Sequence, residues 1–207
     1  EHFAAVMQGN IAEILKQNPS VIVLPDSATL PPEDLTALEE WVQKGGVLLR
    51  FAGPVMAGSR ETPFLVPVPL RTGGRAMDGS LAWETPAKLE KFLETSPLYG
   101  ISLHEDILVR RQILAEPVED IEKKTWASLA DGTPMITAAA EGKGLLVMVH
   151  TTASPAWSDL PLSGAFVEIM QRIVNISGRP QAVLEKTDGF LRPVLVLDGF
   201  GALHKPE

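Results

Sequence analysis

Four histidines, no cysteine and a few hydroxyls at strand ends bound the chemistry open to this 207-residue chain. The lack of Cys removes disulfides, thiolate metal sites, iron–sulfur clusters and a cysteine nucleophile together. Among His2, His104, His150 and His204, no pair has the i, i+4 spacing that sets two zinc ligands on one helical face. His104-Glu105-Asp106 is one polar cluster without a second ligand half, so a solvated loop and no metal is the expectation. His150 differs, because it ends the apolar run Leu145–Val149, and ligand groups in open α/β sheets gather at the carboxyl ends of strands. The same logic selects Asp26 and Ser27 after Val21–Leu24, Phe51, Ala52 and Gly53 after Val47–Leu49, and Thr152 beside His150.

Two chemistries can be drawn on that rim. A Ser27–His150–Asp159 triad would make a serine hydrolase, but Ser27 lacks the G-x-S-x-G elbow that exposes a nucleophile on a strained turn. The plainer reading has His150 capping its strand by hydrogen bonding within a polar rim. The segment Gly53 to Arg60 superficially resembles a phosphate loop, yet Ser59 and Arg60 stand where Lys and Ser/Thr are needed. Without the Lys that reaches the terminal phosphates, a turn is expected rather than a nucleotide site, and no cofactor is expected. Asn175-Ile176-Ser177 is a glycosylation sequon near a helix end.

The elements that must position the rim are legible from periodicity. The runs Val21–Leu24, Val47–Leu49, Leu145–Val149 and Val194–Leu197 have the continuous apolar character of strands buried on both faces, as in a parallel sheet covered by helices. Phe3, Met7, Ile11 and Ile14 fall on one helical face, with Asn18-Pro19 as the stop. Pro32, Glu33 and Asp34 start a second helix carrying Leu35, Leu38, Trp41 and Val42, and Lys44-Gly45 ends it. A short strand–helix–strand of this kind implies a parallel crossover. Residues 55–85 look irregular, and Thr85-Pro86 looks like the cap of a helix with Leu89, Phe92 and Leu93. Ile107–Leu114 reads as a strand. Asp131-Gly132 and Gly142-Lys143-Gly144 then mark two successive hairpins through Trp126–Leu129, Met135–Ala140 and Leu145–His150. Ser158 or Asp159 is placed to cap a last helix with Leu162, Phe166, Ile169, Met170 and Ile173 inward. One α/β domain over 1–180 and a C-terminal extension over 181–207 follow.

Charge and composition exclude further classes. Lys and Arg number 18 against 26 Asp and Glu, a net charge of −8, which opposes nucleic-acid binding through phosphate neutralisation. No apolar run approaches the about 20 residues of a membrane span. The Glu-His-Phe start reads as a cut from a longer protein.

In order and motif the chain resembles a class I glutamine amidotransferase-like domain. Gly46-Val-Leu-Leu-Arg-Phe-Ala-Gly-Pro54 is similar to the family strand P-V-L-G-I-C-L-G-H, with Phe51 where the nucleophilic Cys stands. Val147-Met-Val-His-Thr-Thr152 is similar to V-Q-F-H-P-E, with His150 in the His position and Thr152 in place of Glu. Thiolate attack on glutamine needs the sulfur and its base, so the resemblance implies a scaffold without that activity. Arg50-Phe-Ala-Gly-Pro54, Trp126-Ala-Ser-Leu-Ala-Asp-Gly-Thr-Pro134 and Trp157-Ser-Asp-Leu-Pro-Leu-Ser-Gly164 further resemble large bacterial membrane proteins related to aerotolerance regulators. The resemblance implies a three-layer, flavodoxin-like, mostly parallel sheet with added β-hairpins. It also implies a periplasmic-facing soluble fragment of an inner-membrane protein, and a non-catalytic module that binds a small ligand or a partner protein at the rim, with a purely structural spacer between membrane and C-terminal domain as the blander alternative.

Overall fold

In a computed structural model, residues 3–5, 11–27, 29–59, 63–71, 80–103, 106–178, 196–197 and 203–204 are described. The strands are β1 (Phe3–Ala5), β2 (Val21–Leu24), β3 (Val47–Phe51), β4 (Ser80–Phe92), β5 (Leu108–Ile113), β6 (Thr125–Leu129), β7 (Pro134–Glu141), β8 (Gly144–Val149), β9 (Val196–Leu197) and β10 (Leu203–His204). The helices are α1 (Ile11–Leu15), α2 (Pro32–Gln43), α3 (Pro54–Gly58), α4 (Ile121–Lys124) and α5 (Gly164–Ile176). The main sheet runs β1-β2-β3-β8-β7-β6-β4-β5, and β9 pairs with β10 separately.

The protein is α/β, but its sheet is not mostly parallel. β1, β2, β3 and β8 are joined by parallel pairings, whereas β8-β7, β7-β6, β6-β4 and β4-β5 are antiparallel. The two hairpins expected around Gly132 and Gly142 generate β6, β7 and β8, and both glycines have the positive φ such tight turns require. What tips the balance is β4, where a helix is expected from Thr85-Pro86 and the Leu89/Phe92 spacing. In β4 the pairing partners step from Leu89↔Leu129 to Lys91↔Ser128. That bulge inserts one residue, so Leu89 and Phe92, three apart, both enter the core. A strand bulge has imitated helical period.

Other local readings shift for similar reasons. Phe3 lies in a parallel edge strand rather than on α1, and Met7 lies outside the described residues. The segment expected to be irregular contributes α3 and a bridge from Leu70 to Ala115. The last helix begins later than expected. Its cap is Ser163, whose hydroxyl accepts from Phe166 N–H, and Leu162 in the preceding turn points outward, 71% exposed. Ile169 and Ile173 are buried, with Phe166 and Met170 packed beside them.

α2 follows its punctuation closely. Pro32 is at its start, Glu33 and Asp34 lie in the first turn, and Leu38 and Val42 are buried against Ile22, Leu48 and Leu146. Trp41 Nε1–H donates to Pro19 O at 3.1 Å, tying the helix to the loop before β2. α5 covers the opposite face with Phe51, Val147 and Val149 beneath it. No helix among the described residues is long and apolar enough to cross a membrane.

The antiparallel half curls until it meets itself. The chain leaving β8 hydrogen-bonds the free edge of β5: Ile113 N–H donates to His150 O at 2.8 Å, Arg110 N–H to Trp157 O at 2.7 Å, and Asp159 N–H to Leu108 O at 2.9 Å. Thr151 Oγ1–H donates to Arg111 O. An edge strand that would otherwise offer unpaired backbone groups is thereby covered.

The end of α2 and the start of β8 pass so closely that a Cβ on Gly144 would strike the carbonyls of Val42 and Gly46. Gly144→Ala is therefore expected to cost about 2 kcal/mol or more through forced backbone movement. A urea denaturation midpoint measures it; an unchanged midpoint would contradict the packing.

Candidate functional site

The rim lies where β2, β3 and β8 end side by side, and each expected residue sits there, but with different commitments. Asp26 is spent on the backbone. Its Oδ1 accepts from Gly53 N–H at 3.1 Å and Met56 N–H at 2.9 Å, and its Oδ2 accepts from Val55 N–H at 2.7 Å. The amides that open the α3 turn, the segment with phosphate-loop character, are thus already filled by the chain's own carboxylate. Gly53 has to be glycine, since a Cβ would collide with the Thr152 methyl and the Asp26 carboxylate. Ala52 is fully buried and its N–H donates to Val149 O.

Phe51 turns away from the rim. It is buried beneath α5, with its ring 6.3 Å from that of Phe166 and tilted by 51°. His150 also turns inward and is fully buried. Its Nδ1 lies 2.8 Å from Ile113 O and its Nε2 2.9 Å from Thr137 Oγ1. A carbonyl can only accept, so Nδ1 carries the proton and Nε2 accepts from the threonine hydroxyl. Burial pushes the imidazole pKa down to about 4, against a smaller upward pull from the Ile113 carbonyl. At neutral pH the ring is uncharged, with both nitrogens occupied.

The structure therefore brings together Asp26, Ser27, Gly53 and Thr152, and separates Phe51 and His150 from them. The drawn triad does not assemble: His150 is held by Thr137 and Ile113, and Asp159 pairs with Arg110 at 2.8 Å. Ser27 Oγ and Thr152 Oγ1 are buried without hydrogen-bond partners. Of the polar loop cluster, His104 and Glu105 lie outside the described residues, and Asp106 is paired with Lys88.

Arg50, a charge inside the otherwise apolar run Val47–Phe51, escaped the expected site. It is fully buried. Its Nη2–H donates to Ser27 O at 2.7 Å, its Nη1–H donates to Phe64 O, and its guanidinium lies 4.1 Å over the Phe64 ring. Burial lowers its pKa to about 10, and Asp26 opposes that shift. The guanidinium remains charged at neutral pH and staples the 63–66 loop over the ends of β2 and β3. The signal available in sequence was that lone cation flanked by apolar residues on both sides.

Open space lies further along the same end of the sheet. Antiparallel pairing brings the end of β6, the start of β7 and the end of β5 to the edge where β3 and β8 finish. There a cavity of about 840 Å³ is bounded by Arg71, Glu90, Glu116, Glu122, Asp131 and Ser128 among others. This volume falls in the usual range for small-molecule sites. Nothing in single-residue motifs signalled it, because its lining comes from separate strands and from the acidic stretch after β5.

No family model and no curated protein matches the sequence. Solved structures do share the fold. Two cytoplasmic proteins of Salmonella typhimurium superpose with TM-scores of 0.62 and 0.60, each at 14% identity over 83% of this chain and 76% of theirs. A β-galactosidase from Bacillus circulans matches with a TM-score of 0.53 at 14% identity, over 79% of this chain but 23% of the enzyme.

The buried neutral imidazole makes stability depend on pH in a defined direction. The unfolded chain binds a proton at His150 below its ordinary value near 6.5 and the folded chain only near 4, so between them the unfolded state holds more protons. Stability should fall as pH drops through that window, by about 3 kcal/mol in all for this group. Urea midpoints at successive pH values test it: the slope between pH 6.5 and 4 should flatten in His150→Gln, and an equal slope in both proteins would contradict the assignment. Asp26→Ala, which orphans amides now bonded to a carboxylate, should cost about 3 kcal/mol, read from the same titrations at pH 7.

Proposed function

We propose that this chain is a class I glutamine amidotransferase-like module without catalytic activity, serving a membrane-anchored bacterial protein on its periplasmic side by binding a small ligand or a partner. The observation that carries the reading is position 51. Where the resembled family needs its thiolate, this chain has a phenylalanine packed against Phe166. The resembled base, His150, is neutral and shared between Thr137 and Ile113. Thr152 stands in the carboxylate's place with a buried, unpartnered hydroxyl. Nucleophilic attack requires a nucleophile within hydrogen-bond reach of a free base, and each member of that arrangement is missing or committed elsewhere. The family resemblance itself rests on the strand motifs around Phe51 and His150 and on the two Trp-containing strings. In this reading recognition moves from the strand-end rim to the cavity over the antiparallel half.

The competing chemistry is a serine hydrolase built on Ser27. A fluorophosphonate probe separates the two. No labelling is expected, whereas labelling abolished in both Ser27→Ala and His150→Ala would establish the hydrolase. A complementary prediction uses Phe51→Cys. Because Thr137 and Ile113 hold the imidazole, restoring the thiol should release no ammonia from glutamine in a coupled assay, and measurable glutaminase turnover in that variant would overturn the account of His150.

A further inference from the structure

The antiparallel half of the sheet has one face under α5 and another that is incompletely covered. Along β6, Trp126, Ala127 and Leu129 belong to the core beneath α5, while Thr125 and Ser128 line the cavity of about 840 Å³. Both are almost fully buried, at 5% and 6% exposed. Thr125 Oγ1–H donates to Ile121 O. Ser128 lines the cavity wall, and its hydroxyl opens onto that space with no hydrogen-bond partner among the described residues.

The charge around this space is unbalanced. Among the described residues, Glu90, Glu116, Glu122 and Asp131 face one lining cation, Arg71. None of the four carboxylates is ion-paired among the described residues. Asp131 is held in place, since Thr133 N–H and Thr133 Oγ1–H both donate to its Oδ1, at 3.0 and 2.6 Å. Thr133 is steadied in turn by the fully buried Gln112, whose Nε2–H donates to Thr133 Oγ1 at 3.1 Å. Leu93, Leu114 and Ile121 supply apolar wall between the charges. A surplus of fixed anions over low-dielectric walls focuses a negative potential into a cleft.

We propose that this cavity is a binding site for an organic cation, a primary ammonium on an aliphatic stem. The stem lies along Leu93, Leu114 and Ile121, the ammonium is neutralised by Glu116, Glu122 and Asp131, and the Ser128 hydroxyl accepts one of its hydrogens. Two sources carry that chemistry: a free aliphatic amine, or a lysine side chain presented by a peptide. The assignment names the ligand class of the binding module proposed above and rests on that reading.

Isothermal titration of the protein with cadaverine, and separately with an end-capped Gly-Lys-Gly peptide, tests it. Saturable binding of at least one is expected, weakened at least tenfold in Glu116→Gln/Glu122→Gln. These are exposed side chains whose replacement leaves the fold intact, as a thermal melt verifies. Glu33→Gln, on the distant α2, should leave binding within twofold, which separates a built site from the general pull of an acidic protein. Preference for cadaverine identifies a free amine and preference for the peptide a lysine side chain, and either supports the site. Absence of saturable binding, equal affinity in the double variant, or capture of glutarate in place of the amines would overturn it. Mass analysis of bound cadaverine keeps the two claims apart: an altered amine would refute the non-catalytic reading while leaving this site assignment intact, and failure to bind would do the reverse.

Discussion

A strand that ends in a histidine is where this fold is joined. β8 sits between the parallel and antiparallel halves of the sheet, and the residue after it reaches both β7 and β5 with one ring. A buried imidazole must be neutral to avoid desolvating a charge, and a neutral imidazole offers one donor and one acceptor. The Ile113 carbonyl and the Thr137 hydroxyl supply the matching acceptor and donor. The backbone of the same residue extends the closure, with His150 N–H donating to Met135 O and Ile113 N–H donating to His150 O. Four hydrogen bonds from one residue hold the curl of the sheet, and that arrangement leaves no free nitrogen for proton transfer.

The same economy governs the parallel half. Asp26 and Arg50 are the charges nearest the strand ends, and both are used internally, the carboxylate on the amides around Gly53 and the guanidinium on the carbonyls of Ser27 and Phe64. A buried charge is tolerable only when it is paired or hydrogen-bonded. These internal bonds convert a region with the layout of an active site into a cap over the sheet. Around the cavity beside β6 and β7, by contrast, four carboxylates carry no ion pair among the described residues. The proposed recognition site and the strand-end closure thus occupy different parts of one sheet edge.

Much of this organisation could be read from sequence, for physical reasons that also explain the misses. The strands over Val21–Leu24, Val47–Leu49 and Leu145–Val149 announced themselves as uninterrupted apolar runs, and α2 through Pro32 and Lys44-Gly45. The helix expected near Leu89 failed because a one-residue bulge gives a strand a three-residue repeat on one face. The share of parallel pairing was overestimated because apolar runs report burial on both faces and say nothing of direction. That the rim residues lie at strand ends was legible, since strand ends are local features. Their roles were not legible, because whether an imidazole faces solvent or Ile113 depends on how far the sheet curls. Arg50 was hidden for a related reason: its partners, Ser27 and Phe64, lie in two loops that only the fold brings together.

The central claim is that His150 is a neutral, Nδ1-protonated clamp rather than a base. Its most direct test is nitrogen-15 NMR of the imidazole in the intact protein, followed across pH. The account predicts a single Nδ1–H tautomer, protected from exchange and unchanged from pH 8 to about 5, in keeping with a pKa near 4. A ring that titrates near 6.5, or that carries its proton on Nε2, would contradict it.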